Sequence, residues 1–173
     1  MNPTRHINLN FTLRVWSVLW LGLGLSASSA LGQQAKNQLV GTWTPTAIYT
    51  EHKDGMKVET FGPKPTGVLT FGSDGRFSLQ WMRSDLPKFA AGDRMKGTAE
   101  ENQAIVQGSL SYFGTYTVDD SSTTLVLHVE GSTFPNWNGK DQKRSFTLVG
   151  DKLTLGGIGT SGLPFQDELE RLK

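Results

Sequence analysis

The chain has 173 residues, 36% of them hydrophobic, with 17 lysines and arginines against 16 acids and no cysteine. That length supports one domain with an ordinary core, and the missing cysteines exclude disulfides, thiolate metal sites and a lipid-modified cysteine. So even a charge balance argues against the clustered basic face that nucleic-acid binding requires.

In chain order, Arg5 and Arg14 flank an acid-free start, VWSVLWLGLGL forms a short apolar run, and the small residues Ser26, Ala27, Ser28, Ser29 and Ala30 follow. This is the layout of a secretory signal peptide, with Ser28 and Ala30 at the small-residue positions before the cut. The run is shorter than the roughly 20 residues of a spanning helix. The expected organisation is a signal peptide over 1–30, a polar linker over 31–38 and a folded domain over 39–173. The product is expected to be periplasmic or secreted and not stably inserted in a membrane; an uncleaved N-terminal anchor is the alternative. Cleavage removes Arg5 and Arg14 and no acid, leaving 15 basic and 16 acidic side chains, a net charge of −1.

The remaining chain is rich in glycine and threonine and shows almost no helical periodicity, an all-β composition. Leu39 to Glu51 reads as a first strand, with Pro45 marking a bend or an edge. Lys57 to Phe61 follows the Asp54-Gly55 turn and ends at Gly62-Pro63-Lys64-Pro65. Gly67 to Gly72 and Arg76 to Arg83 form a hairpin around Ser73-Asp74-Gly75. One helix is expected after Thr98, whose spacing to Glu101 is that of a capping box, with Gly108 at its end. Strands are expected over Leu110 to Val118, Thr123 to Glu130, Gln142 to Val149 and Lys152 to Leu155. A glycine-rich loop from Gly156 to Gly162 then leads to a closing strand from Phe165 to Leu172. So many short strands joined by tight turns leave edges that closure into a barrel removes.

Strand side chains alternate between two faces. One parity collects Tyr112, Tyr116, His128, Glu130, Gln142, Arg144 and Phe146, a mixture that suits the lining of a barrel holding a small molecule. Gln80 and Met82 are assigned to the same lining. On this reading His128 lies near Tyr112 and Tyr116, where it acts as a general base with a tyrosine as acid or oxyanion donor, or else serves as a buried, hydrogen-bonded histidine. Arg144 either grips a carboxylate-bearing ligand or pairs internally with Glu130. The apolar parity of Leu125, Leu127 and Val129 competes for the interior, and if it faces inward the lining list fails altogether. The loop Phe134-Pro135-Asn136-Trp137-Asn138-Gly139 either covers the mouth or folds its aromatics against the barrel.

Gly41-Thr42-Trp43 resembles the G-x-W of lipocalins, and Glu170-Arg171 offers the basic residue that packs over that tryptophan in the superfamily. LVGTW, PTGVLTFGSDGRFSLQWMR, YFGTYTVDD, HVEGSTFPNW and Gln142 to Leu155, in this order, are similar to the bacterial and fungal lipocalin-like domain family. The resemblance implies an all-β, antiparallel up-and-down barrel of about eight strands with one short helix, in which Gly41, Trp43 and Arg171 are structural. It implies little about substrate.

Three functions follow. The first is an exported barrel binding a small, largely apolar or weakly anionic molecule. The second is a cyclase- or isomerase-type enzyme using His128 and a tyrosine. The third is a structural barrel with a filled interior. The chain carries no nucleophile elbow, phosphate loop, dinucleotide fingerprint or multi-histidine metal motif, so neither a cofactor nor a metal is expected.

Overall fold

The computed structural model describes residues 24–119 and 123–173, with side chains from Gly32 onward. Most of the expected export signal lies outside the described residues. In order, the elements are α1 (Gly24–Leu39), β1 (Gly41–Glu51), β2 (Lys57–Glu59), β3 (Pro65–Phe71), β4 (Arg76–Arg83), α2 (Ala99–Gly108) and β5 (Ser109–Val118). They continue with β6 (Thr124–Ser132), β7 (Asp141–Val149), β8 (Lys152–Ile158) and β9 (Pro164–Arg171).

All strand pairs are antiparallel. β3 to β9 follow one another in space as in sequence, and β9 returns to pair with β1 from Trp43–Arg171 to Thr50–Phe165. The result is a closed eight-stranded barrel of β1 and β3–β9, with β2 as an extra strand on the far end of β1. Pro45 sits where the register of β1 on β9 shifts, so the strand bends at a residue that has no N–H to lose. The Gly156-Gly157-Ile158 stretch, expected as a loop, extends β8 and pairs with Gln166, Phe165 and Pro164.

Alternation fills the interior with Leu69, Phe71, Phe77, Leu79, Leu125, Leu127, Val129, Leu153, Leu155 and Leu169, each buried. The helix expected after Thr98 is α2. The Thr98 hydroxyl accepts from Glu101 N–H at 3.2 Å, and the Glu101 carboxylate accepts from Thr98 N–H at 2.8 Å. A second helix, α1, lies where a polar linker was expected over 31–38, and it runs through the expected cleavage point after Ala30. Its last residue, Leu39, is fully buried, and Lys36 Nζ lies 5.2 Å from the Tyr116 ring centroid. That segment is therefore part of the packed structure, seated at one end of the barrel. No helix among the described residues is long and apolar enough to cross a membrane.

The end beneath α1 is sealed by the residues the sequence singled out. Trp43 is fully buried and donates its indole N–H to the Leu39 carbonyl at 2.9 Å. The Arg171 guanidinium lies 4.0 Å from the Trp43 ring centroid and donates to the carbonyls of Val40 at 2.7 Å and Gln38 at 2.6 Å. Gly41 makes this possible: its φ is +135°, and a Cβ there would sit 2.6 Å from Arg171 Nη1. Replacing Trp43 with Ala is expected to cost about 3–5 kcal/mol, and Gly41→Ala about 1–3 kcal/mol. Urea unfolding of both variants checks the two values.

Candidate functional site

The opposite end of the barrel is not filled. A cavity of about 320 Å³ opens there, between the end of β1, β2, the loop after β6 and the loop joining β8 to β9. Its walls are mostly apolar: Ile48 from β1, Val58 and Phe61 at β2, Leu110 from β5, Leu163 and Phe165 at the start of β9. Thr50 on β1, His52 in the turn after it and Thr60 just beyond β2 add polar groups.

Four side chains converge in it. Trp81 on β4, Tyr112 on β5, Arg144 on β7 and Asp167 on β9 all line the cavity, and their exposures are 2%, 5%, 3% and 5%. The Arg144 guanidinium lies 4.9 Å from the Phe165 ring centroid and 5.5 Å from that of Trp137, and it donates to the Lys143 carbonyl at 3.0 Å. Trp137 also meets Tyr112 edge-on at 5.3 Å, and Tyr112 meets Phe77 at 5.7 Å. The aromatic loop thus folds against the barrel, and through Trp137 it forms part of the cavity wall. Gly157 is the space for the arginine, since a Cβ there would lie 3.0 Å from Arg144 Cδ.

Burial sets the electrostatics. Taking the Asp167 carboxyl out of water raises its pKa to about 7, and this outweighs the nearby Arg144 charge and hydrogen bonding from Trp81, which pull the other way. Burial also raises the Tyr112 phenol, with Asp167 adding to the rise and Arg144 opposing it. A proton donor, a cation and a poised carboxyl therefore face one apolar space.

Of the residues expected to line the barrel, Tyr112 and Arg144 lie in the cavity. Tyr116 is buried but belongs to the sealed end, where its hydroxyl donates to the Gly72 carbonyl at 2.9 Å and its ring meets Phe71 at 4.8 Å. Phe146 and Gln142 share the inner parity of β7; Phe146 packs against the core, and Gln142 Oε1 accepts from Arg144 at 3.5 Å.

His128, Glu130, Gln80 and Met82 instead face outward. On β6 it is Leu125, Leu127 and Val129 that are buried, and on β4 it is Phe77, Leu79 and Trp81. The reason is register: Tyr116 stands opposite Leu127 and Tyr112 opposite Leu79, so even positions on β5 share a face with odd positions on its neighbours. On the outer surface His128 Nδ1 pairs with Asp141 at 2.8 Å and Glu130 with Arg76 at 2.6 Å. The histidine–tyrosine pair and the Arg144–Glu130 ion pair are therefore not formed. Asp167 was missed, although a signal existed: it shares its strand parity with Phe165, Leu169 and Arg171, so an inward Arg171 implies an inward Asp167.

The family model for the lipocalin-like domain matches residues 40–171. The 4'-hydroxy-3'-methoxypropiophenone carrier protein ppsC of Aspergillus oryzae is 37% identical over 87 residues, covering 47% of this chain and 78% of that protein. Among solved structures, a redesigned β-barrel has a TM-score of 0.43 at 16% identity, covering 80% of this chain and 96% of the other. A lipocalin-like protein from Bacteroides uniformis has a TM-score of 0.42 at 15% identity, covering 78% and 98%.

The buried carboxyl has a consequence for stability. The folded state holds a proton on Asp167 that the unfolded chain releases between its ordinary pKa of 3.8 and about 7. Stability contributed by that proton is present below this window and lost as pH rises through it. Asp167→Asn is expected to match the wild type at about pH 4 and to exceed it by a few kcal/mol at about pH 8. Urea unfolding of both proteins at the two pH values measures the difference.

Proposed function

We propose that this chain binds and carries a small, largely apolar aromatic molecule bearing a carbonyl or phenol group. It belongs to the lipocalin-like domain family. The observation that carries the reading is the 320 Å³ cavity whose apolar walls end on Tyr112, Arg144 and Asp167. Ligand pockets begin at roughly 300 Å³ and combine an apolar lining with a few convergent polar groups. A filled structural barrel would leave no such space.

The ligand class follows from the chemistry of the walls together with the relative named above. The compound in that relative's name is an aryl ketone with a ring hydroxyl. Phe61, Trp81, Trp137 and Phe165 offer rings to its aromatic face, and Arg144 and Tyr112 offer N–H and O–H donors to an oxygen. The proposal includes export, supported by the basic, apolar and small-residue succession from Arg5 to Ala30. His128 has no part in it, because its side chain stands in water beside Asp141.

The test is a titration of the protein with 4'-hydroxy-3'-methoxypropiophenone, followed by tryptophan fluorescence, since Trp81 and Trp137 line the cavity. Saturable quenching is expected. Arg144→Ala should weaken it by about tenfold or more, the worth of one hydrogen bond to a charged group, while His128→Ala should leave it unchanged. Absence of saturation in the wild type would count against the reading.

A further inference from the structure

We propose that the same cavity moves a proton on its ligand: the Asp167 carboxylate removes a proton from the carbon beside the carbonyl of a bound ketone, while Tyr112 and Arg144 hold the carbonyl oxygen as it becomes an enolate. The inference rests on the ketone-binding reading above and adds an activity to it.

Enolisation needs a base free to act, donors aimed at the oxygen that gains charge, and a site that keeps water away. The cavity brings a buried carboxyl and two buried donors to one largely apolar space. Asp167, Tyr112 and Arg144 each line it and each is at least 95% buried, since their exposures are 5%, 5% and 3%. Among the described residues the arginine ion pairs join Arg76 to Glu130, Arg83 to Asp85 and Arg171 to Asp151, and none joins Arg144 to Asp167. Asp167 thus feels the Arg144 charge and a Trp81 hydrogen bond without a direct salt bridge, and the five-donor guanidinium keeps N–H groups beyond those it gives to Lys143, Gln142 and Tyr112. Asp167 stands in register between Ile48 on β1 and Leu155 on β8, both apolar. Dry surroundings strengthen a carboxylate as a base, and a base matched to the working pH transfers protons best.

The step balances without any co-reactant. The C–H bond breaks and its proton passes to an Asp167 oxygen. The electron pair forms a carbon–carbon double bond as the carbonyl π pair moves onto oxygen, where the Tyr112 O–H and an Arg144 N–H stabilise it. Return of the proton to the same carbon regenerates the ketone; return to a conjugated position shifts a double bond. The substrate class is thus a ketone with a hydrogen on the adjacent carbon.

In heavy water the reaction becomes visible, because the proton on Asp167 exchanges with solvent before it returns. The probe is again 4'-hydroxy-3'-methoxypropiophenone, and the readout is loss of its side-chain methylene signal in proton NMR at saturating ketone. The wild type is expected to exceed the buffer rate by about 10²-fold or more, the lower range for a positioned base. The rate should rise with pH through about 7 as Asp167 loses its proton. The other titratable or charged groups lining the cavity are Tyr112, Arg144 and His52, while β4 and β8 present Trp81 and Leu155. Asp167→Asn should fall to the buffer rate and Tyr112→Phe should slow exchange, each measured at ketone concentrations that saturate that variant's own quenching. Quenching without exchange in the wild type, or exchange that survives in Asp167→Asn, overturns the catalytic proposal and leaves the carrier reading intact. Absence of quenching in the wild type overturns both.

Discussion

Arg171 lies flat over Trp43 and donates to the two carbonyls that lead into the first strand. This contact does more than fill space, because it joins the last strand of the barrel to the first at the point where the sheet must close. Closure commits every strand to one inward parity, as a one-residue slip anywhere would turn an apolar row to water. It also decides which end is sealed. With Trp43, Leu39 and α1 occupying one mouth, the space that remains is at the other, and the chemistry collects there.

The two ends differ in how they treat charge. At the sealed end a cation is satisfied by a ring and by backbone carbonyls, and its Nε lies 3.4 Å from an Asp151 carboxylate oxygen. At the open end Arg144 rests beside two rings and donates to the Lys143 carbonyl at 3.0 Å and to Gln142 Oε1 at 3.5 Å. Asp167 shares that cavity without a direct ion pair to it. Groups buried in this way are costly to keep, and the cavity they face supplies what an occupant would meet. The sealed end is built for stability and the open end for recognition.

Much of the fold was legible because hairpins declare themselves locally. Arg76 to Arg83 runs as expected from the alternation and the Asp74-Gly75 turn, and the Thr98–Glu101 capping box lies where its spacing put it. What was not legible is long-range. The inward parity of β6 depends on its register against β5, which no residue of β6 states by itself, so His128 and Glu130 were grouped with Tyr112 and Tyr116. Gly156 and Gly157 read as a loop because glycine lacks a β signal, although β9 recruits them as strand and Arg144 occupies the room that Gly157 leaves. The helix before Leu39 shows only weak amphipathicity; packing onto the barrel end makes it part of the structure.

β1 spends its outer edge on two different partners: Gly41 to Trp43 pair with β3, and Tyr49 to Glu51 pair with β2. The cylinder itself is complete without β2, whose three residues are held by pairing to one strand only. Yet Val58 on β2, with Thr60 and Phe61 just beyond it, forms cavity wall. Peeling that short flap away would open the chamber sideways while every hydrogen bond of the cylinder stays in place. Admission of a guest is thereby uncoupled from the integrity of the vessel, and the two can be tuned by different residues.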